Sequence, residues 1–195
     1  RQLADASGAK LAALVLGSGV GALAERAFAY GADKAYVVDS PELAQYTTDG
    51  FVGAAAELAR QQQPQLVLTG ATFQMRDFSA ALAAELGVGL AADATNVAAE
   101  GGAISATRPS HGGNVVNTVE FGAARPAIVS VRKQSFAEAA EQPGRSGELV
   151  SAAMPDARWP GDGSFEGPLA TPEETTPETW MSSGPWAISG LRSLT

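Results

Sequence analysis

A glycine-rich segment and one distant carboxylate form the first candidate for a binding site. The segment GSGVGA, residues 17–22, follows an apolar run and opens a helical pattern. Its spacing fits the G-x-G-x-x-G/A turn, in which backbone amides bind the pyrophosphate of a dinucleotide. Asp39 closes the next apolar run, where the acid that binds the ribose is expected. Gly17, Gly19 and Asp39 are therefore candidate nucleotide-binding residues, and the alternative is an ordinary strand-to-helix connection of an α/β domain.

A second candidate lies where another apolar run meets a helical pattern. In TGATFQMRD, the turn of residues 70–72 is followed by Arg76 and Asp77. A carboxylate at the start of a helix accepts hydrogen bonds from first-turn amides, so Asp77 is expected to cap the helix. Arg76 is placed either to bind an anion beyond the strand ends or to pair with an acidic side chain. Gly70 and Arg76 are therefore further candidates for cofactor binding.

The chain has one histidine and no cysteine. These counts exclude thiol nucleophiles, disulfides and a metal site built from several histidines. His111 lies in TRPSHGGNVV between two runs of alternating apolar and polar residues, and the glycines after it favour the tight turn of a hairpin. Acid–base catalysis by His111 is the alternative, because the pKa of an imidazole lies near neutrality.

The candidate residues are positioned by alternating strand and helix patterns. Apolar runs typical of buried strands alternate with i, i+3, i+4 patterns typical of helices. The predicted strands are residues 11–17, 35–39 and 66–70, and the predicted helices begin near Val20, Asp49 and Arg76. Such alternation predicts a parallel sheet with helices on both faces and ligands at the carboxyl ends of its strands.

The sequence after Gly87, which is expected to end the third helix, follows a different pattern. A strand over GLAADATNVAAE leads to a turn at Gly101 and Gly102, AISATRPS and NVVNTVEF alternate with period two, and PAIVSVR is another apolar strand. We therefore predict a three-layer αβα domain with a mainly parallel sheet and an added antiparallel hairpin.

The overall charge and hydropathy argue against a nucleic-acid-binding protein and against a membrane-spanning one. The formal net charge of -8 argues against a nucleic-acid partner, because phosphate binding requires clustered lysine and arginine. No window approaches the roughly 18 to 20 apolar residues that a membrane-spanning helix requires. We expect a soluble protein in the cytoplasm, or in the mitochondrial matrix if the source is eukaryotic.

The two ends of the sequence differ from the middle. RQLADASGAK is typical of the end of an amphipathic helix that stops at Gly8, and we therefore expect a strand upstream of it. Residues 1–150 are predicted to form the α/β domain. Residues 151–195 are rich in proline, glycine, threonine and acid and are predicted to be an irregular tail, although Trp159, Trp180 and Trp186 favour packing on the domain or on a partner.

Taken together, the motifs resemble the amino-terminal domain of the alpha subunit of electron transfer flavoproteins, over about residues 1–150. The family pattern has a Gly-Ala-Thr turn before an Arg-Asp pair, a Gly-x-Gly-Leu-x-Ala-Asp strand, an Arg-Pro before Gly-Gly-Asn, and a later Val-Arg. The chain departs from this pattern at Met75, where glycine is usual, and at His111, where an aromatic residue is common. The matching positions that form the structural signature are Asp77, Arg108, Pro109, Gly112, Gly113 and Asn114, with residues 70–72, 87–93 and 131–132.

The resemblance implies a Rossmann-like fold of the adenine nucleotide alpha hydrolase type and pairing with a beta subunit. It implies FAD in the complete complex and electron transfer from dehydrogenases, as in fatty acid β-oxidation, to a quinone oxidoreductase or a similar acceptor. In such a protein the cofactor performs the redox step, so no side chain of this chain is expected to be catalytic.

The family's FAD site lies mostly in a carboxy-terminal domain whose motifs this sequence does not show. FAD is therefore not expected to bind this chain alone. Two alternatives are an independent domain that binds NAD or an adenine nucleotide through residues 17–22, and an assembly module with no redox role.

Overall fold

A computed structural model describes residues 1–155, with four α-helices, two short 3-10 helices and nine strands among them. The predicted tail, apart from its first five residues, lies outside the described residues, as do Trp159, Trp180 and Trp186. None of the helices within residues 1–155 is long and apolar enough to cross a bilayer. The helices are α1 (Gln2–Ser7), α2 (Leu23–Ala29), α3 (Thr48–Gln62) and α4 (Phe73–Leu86). The strands are β1 (Ala12–Gly17), β2 (Lys34–Asp39), β3 (Leu66–Gly70), β4 (Leu90–Ala94), β5 (Asn96–Glu100), β6 (Ala103–Ser110), β7 (Val115–Phe121), β8 (Ala127–Val131) and β9 (Glu148–Ser151).

The first parallel sheet has the strand order β1-β2-β9. Its two faces are covered by different helices because side chains alternate along a strand. Val37 packs against Ala24 and Phe28 of α2, whereas Val38 packs against Ala54 of α3. Strand β9 was not predicted, and it joins this sheet at the edge of β2.

The second parallel sheet has the order β3-β8-β4. Its central strand, β8, is almost completely buried, as expected of a parallel strand covered on both faces. Ile128 packs against α3 and α4 on one face. On the other face Val129 packs against Val97 of β5 and Ala106 of β6.

The third sheet is antiparallel, with the order β5-β6-β7. The sequence predicted only its hairpin, β6 and β7. Strand β5 adds a third strand because the predicted strand over residues 89–100 is two strands, which separate at Thr95. The elements form three layers. Helices α3 and α4 make one outer layer, the two parallel sheets make the middle layer, and α1, α2 and the antiparallel sheet make the other outer layer. This arrangement confirms the predicted αβα architecture.

The ends of α1 and α4 test the helix start and stop signals predicted from the sequence. Gly8 and Gly87 follow α1 and α4 in the left-handed conformation, with φ of 68° and 64°, as predicted. The prediction that α4 begins at Arg76 with Asp77 as its cap is wrong. The helix begins at Phe73, because the Thr72 hydroxyl accepts a hydrogen bond from the Met75 amide at 3.1 Å and already forms the cap.

Candidate functional site at the carboxyl ends of the strands

Asp93 and Arg132 form an ion pair where β4 and β8 end. The guanidinium of Arg132 donates to Oδ2 of Asp93 through Nη2 at 2.5 Å and Nε at 3.2 Å. The pairing of β4 with β8 is irregular between Ala91 and Ala94, and Asp93 there has a φ of 61°, which aspartate tolerates better than most residues. The bulge and the Arg132 amide, which donates to the Ala94 carbonyl at 2.8 Å, hold the two side chains together.

Two further arginines act on the same carboxylate. Arg76 of α4 lies with Nη2 4.0 Å from Oδ1 of Asp93, and its side chain is 56% exposed. Hydrogen bonding from Arg132 is the largest cause that lowers the pKa of Asp93, and the charges of Arg132, Arg76 and Arg108 lower it further against the opposing effect of burial. Three guanidinium groups around one carboxylate leave a local excess of positive charge in an acidic chain.

Arg108 contributes to this charge from the antiparallel sheet. It lies on β6 opposite Asn117 of β7. Its Nε is buried and has no hydrogen-bond partner among the described residues. An unpaired buried N–H is costly, so this unsatisfied donor destabilises the fold unless something outside the described residues pairs with it.

Phe73 lies next to this charge and is the most exposed large apolar side chain of the described residues, at 93%. It is the first residue of α4, and residues three apart in a helix share a face, so Phe73 and Arg76 project from the same side. We call Phe73, Arg76, Asp93 and Arg132 the carboxyl-edge surface. It presents an aromatic ring and two solvent-accessible guanidinium groups at the edge where parallel sheets usually bind their ligands.

The turn of residues 70–72 positions this surface. The Ala71 amide donates to the Val131 carbonyl at 2.8 Å, and the Thr72 amide donates to the Gly70 carbonyl at 2.9 Å. The turn therefore fastens the start of α4 to the end of β8. A side chain at Gly70 would meet no atom within 4 Å, so close packing does not require glycine there.

Asp77 connects two helices instead of capping one. Its Oδ2 accepts hydrogen bonds from the Tyr46 hydroxyl at 2.7 Å and from the Thr48 hydroxyl at 2.6 Å. The bond from Thr48, followed by that from Tyr46, lowers the pKa of Asp77. Burial, with the bond to Asp77 as the second cause, raises the pKa of Tyr46 to about 12. Asp77 thereby ties the start of α3 to the first turn of α4.

The backbone amides of the glycine-rich turn after β1 bind the side-chain carboxylate of Asp39, the last residue of β2. Oδ1 of Asp39 accepts from the Gly19 amide at 2.7 Å, and Oδ2 accepts from the Val20 amide at 3.1 Å. A side chain at Gly17 would come within 2.5 Å of Cγ1 of Val20, so the turn is also tightly packed. The three predicted nucleotide-binding residues are brought together, but the amides that a pyrophosphate needs are bound by Asp39.

Comparison with known proteins agrees with this architecture. The model of the electron transfer flavoprotein domain matches residues 1–157. The chain belongs to the electron transfer flavoprotein domain family. This membership confirms the resemblance found in the sequence motifs.

Relatives of this flavoprotein-family chain include an electron transfer flavoprotein alpha subunit, a FixB protein and an electron transfer subunit of a reductase. It is 38% identical to the electron transfer flavoprotein subunit alpha of Thermoanaerobacterium thermosaccharolyticum, over 77% of this chain and 46% of that protein. It is 41% identical to protein FixB of Clostridium saccharobutylicum, over 70% of this chain and 41% of that protein. It is 33% identical to the acryloyl-CoA reductase electron transfer subunit beta of Anaerotignum propionicum, over 68% of this chain and 42% of that protein. The chain thus spans less than half the length of each of these relatives.

The signature around His111 forms a hairpin turn in this electron transfer flavoprotein domain. His111, Gly112 and Gly113 have φ of 49°, 68° and 95°, so the glycines supply the left-handed positions that the turn requires. Asn114 closes the turn, because its Nδ2 donates to the His111 carbonyl at 3.1 Å. The Ser110 hydroxyl lies 3.0 Å from Nδ1 of His111. The predicted hairpin is confirmed, with Arg108 and Pro109 on its first strand.

Arg76 is the one residue of the carboxyl-edge surface that the sequence predicts as a binding residue. Asp93 and Arg132 belong to motif segments of the electron transfer flavoprotein resemblance. For Arg132, which directly follows an apolar strand run, that position was the available signal, since the carboxyl ends of neighbouring parallel strands meet at one edge. Asp93 lay inside the strand predicted over residues 89–100 and had no such signal. Phe73 had no such signal, because an aromatic residue at the start of a helix is more often buried.

Proposed function

We propose that this chain is the alpha-subunit scaffold domain of an electron transfer flavoprotein and that it pairs with a beta subunit. In this proposal the complete complex holds FAD and carries electrons from dehydrogenases to a quinone oxidoreductase or a similar acceptor. Membership in the electron transfer flavoprotein domain family and similarity to a protein named electron transfer flavoprotein subunit alpha support this role. The expected compartment is the cytoplasm, or the mitochondrial matrix in a eukaryote.

The observation that carries the pairing is the composition of the carboxyl-edge surface. Phe73 is 93% exposed and precedes Arg76 by three residues on α4, and the guanidinium groups of Arg76 and Arg132 both lie near Asp93. Aromatic residues and arginine are enriched in the centres of protein interfaces and dominate their binding energy. The ring would be desolvated by a partner pocket, while the arginines would bind carboxylates around that pocket.

The glycine turn supports placing FAD outside this chain. Asp39 binds the Gly19 and Val20 amides at 2.7 and 3.1 Å, so a diphosphate would have to displace an intramolecular carboxylate. Residues 17–22 therefore do not fit a bound flavin or nicotinamide dinucleotide. We assign FAD to the assembled complex, in which this chain serves as a docking base without side-chain catalysis.

Titration calorimetry with the beta subunit encoded in the same genome tests the pairing. Replacement Phe73→Ala is expected to weaken binding about 30-fold, because an interface hot spot contributes about 2 kcal/mol. Replacement Arg76→Glu is expected to weaken binding and to remove much of its salt dependence. The matched control is Arg26→Glu, which makes the same charge change at an exposed position of α2.

The outcomes separate the pairing from the surface that we assign to it. Binding that neither Phe73→Ala nor Arg76→Glu alters, relative to the Arg26→Glu control, would place the interface elsewhere on the chain. Absence of binding by the unchanged chain would contradict the pairing itself. A visible flavin absorption band in the chain purified alone would contradict the assignment of FAD to the complex.

A further inference from the structure

Two of the three arginines around Asp93 have no close acidic partner within residues 1–155. Arg132 donates to Oδ2 of Asp93 through two nitrogen atoms. Nη2 of Arg76 lies 4.0 Å from Oδ1, which is beyond hydrogen-bond distance, and Arg108 forms no ion pair among these residues. We call Arg76, Asp93, Arg108 and Arg132 the arginine cluster, and its three cations and one anion give a net charge of about +2.

The neighbouring carboxylate on α4 is already bound elsewhere. Oδ2 of Asp77, the residue after Arg76, accepts hydrogen bonds from the hydroxyls of Tyr46 and Thr48. The charges that lower the pKa of Asp93 are those of Arg132, Arg76 and Arg108. The cluster is therefore a local region of positive charge in an acidic chain.

Arg108 differs from an ordinary surface arginine. It lies two residues after Ala106 on β6, so the two side chains share a face, and Ala106 packs with Ala94 and Val97 in the core. The Nε of Arg108 is buried and unpaired among the described residues. Because charges attract more strongly where water is excluded, an anion bound beside Arg108 is stabilised more than one beside a fully hydrated arginine.

The backbone around the cluster is fixed by the fold. The Arg132 amide donates to the Ala94 carbonyl at 2.8 Å, and the cap formed by Thr72 fixes the first turn of α4, which carries Arg76. Arg108 lies within the paired part of β6. Three separate elements thus hold the guanidinium groups near one point, which reduces the ordering that a ligand must impose.

We propose that the arginine cluster is a binding site for phosphate, either the free inorganic ion or the phosphomonoester group of an organic compound. A phosphomonoester has a second pKa of about 6 and carries close to two negative charges at neutral pH, which matches the charge of the cluster. Its three oxygens accept from several guanidinium groups at once, whereas a carboxylate offers two oxygens and one charge. The site belongs to the chain alone and does not depend on the proposed pairing with a beta subunit.

An NMR titration of the isotope-labelled chain with inorganic phosphate tests the site, with ionic strength held constant by sodium chloride. The Nε–H signals of Arg76 and Arg132 are expected to shift and to saturate with one dissociation constant. Arg76→Gln should weaken binding about tenfold, because a hydrogen bond to a charged group is lost. The matched control Arg26→Gln, which changes an exposed arginine of α2, should leave the dissociation constant unchanged.

The variant Arg108→Met separates a binding role from a structural one. It removes a buried donor that has no partner among the described residues, so Tm should stay equal or rise. Phosphate binding should nevertheless weaken by about tenfold, as in Arg76→Gln. If Arg108→Met does not fold, Arg76→Gln and its control still decide the question, because the Arg76 side chain is 56% exposed and tolerates replacement.

Phenyl phosphate distinguishes the two sources of the phosphate group, because Phe73 projects from the same side of α4 as Arg76. Tighter binding of phenyl phosphate than of inorganic phosphate, with the difference lost in Phe73→Ala, would assign an organic phosphomonoester. Equal binding of the two would assign the free ion. Shifts that grow without saturating would overturn the proposal, and so would a dissociation constant that neither Arg76→Gln nor Arg108→Met changes.

Discussion

The ion pair between Asp93 and Arg132 leads to a prediction about stability and its dependence on pH. In the variant Asp93→Asn the side chain keeps its shape, and asparagine tolerates the φ of 61° as aspartate does, so mainly the charge is lost. A well-exposed ion pair contributes up to about 1 kcal/mol, whereas a hydrogen bond to a charged group contributes about 1.5 to 3. Because Arg132 is partly exposed and makes two hydrogen bonds, we expect a loss of about 1 kcal/mol at neutral pH.

The sign of the pH effect follows from the direction of the pKa shift. The pKa of Asp93 is lowered in the folded protein, so its contribution to stability is present above the unfolded pKa of about 3.9. That contribution is lost as the pH falls through the lower, folded pKa. The variant and the unchanged protein should therefore differ at pH 7 and converge in strongly acidic solution.

Urea denaturation at several pH values measures this difference. The matched control is Glu120→Gln, which removes an exposed carboxylate of β7 that makes no ion pair within the described residues. The control should change the free energy of unfolding by less than about 0.5 kcal/mol. If Asp93→Asn behaved like the control at pH 7, or if its deficit persisted unchanged at low pH, the reasoning about the ion pair would be refuted.

Two further predictions concern the residues that hold α4 in place. Thr72→Ala removes the hydroxyl that accepts from the Met75 amide, so it should lower the free energy of unfolding measured by urea denaturation by about 1 kcal/mol. Thr72→Ser keeps a hydroxyl and should retain most of that free energy. Equal stability of the two variants would contradict the cap. Asp77→Asn should lower the pKa of Tyr46 from about 12, while burial keeps it above the usual 10, as measured by ultraviolet titration. An unchanged Tyr46 titration would contradict the contact with Asp77.

The alternation of strands and helices could be predicted because the apolar runs differ in period. Strand β9 could not, since Glu148–Ser151 is short and mostly exposed, and it is a strand because the edge of β2 pairs with it. The division at Thr95 follows closely after the left-handed conformation of Asp93, which aspartate tolerates but which the alternating segment GLAADATNV does not require.

The candidate site was predicted less completely than the fold. Asp77 was expected to cap α4 because acids favour helix starts, yet Thr72 is closer to the end of β3 and takes that place. Asp39 was correctly placed beside the glycine turn, but sequence spacing cannot distinguish a carboxylate that binds a ribose from one that binds the turn itself. Arg132 meets Asp93 through a pairing of β4 with β8, which are more than 30 residues apart, so only the tertiary fold reveals the ion pair.

Sedimentation velocity of the chain mixed with the proposed beta subunit tests the central claim most directly. We expect a one-to-one complex at micromolar concentrations, which the Phe73→Ala variant forms only at much higher concentration. Separate sedimentation of the two unchanged proteins at these concentrations would contradict the claim that this chain is a scaffold domain that pairs with a beta subunit.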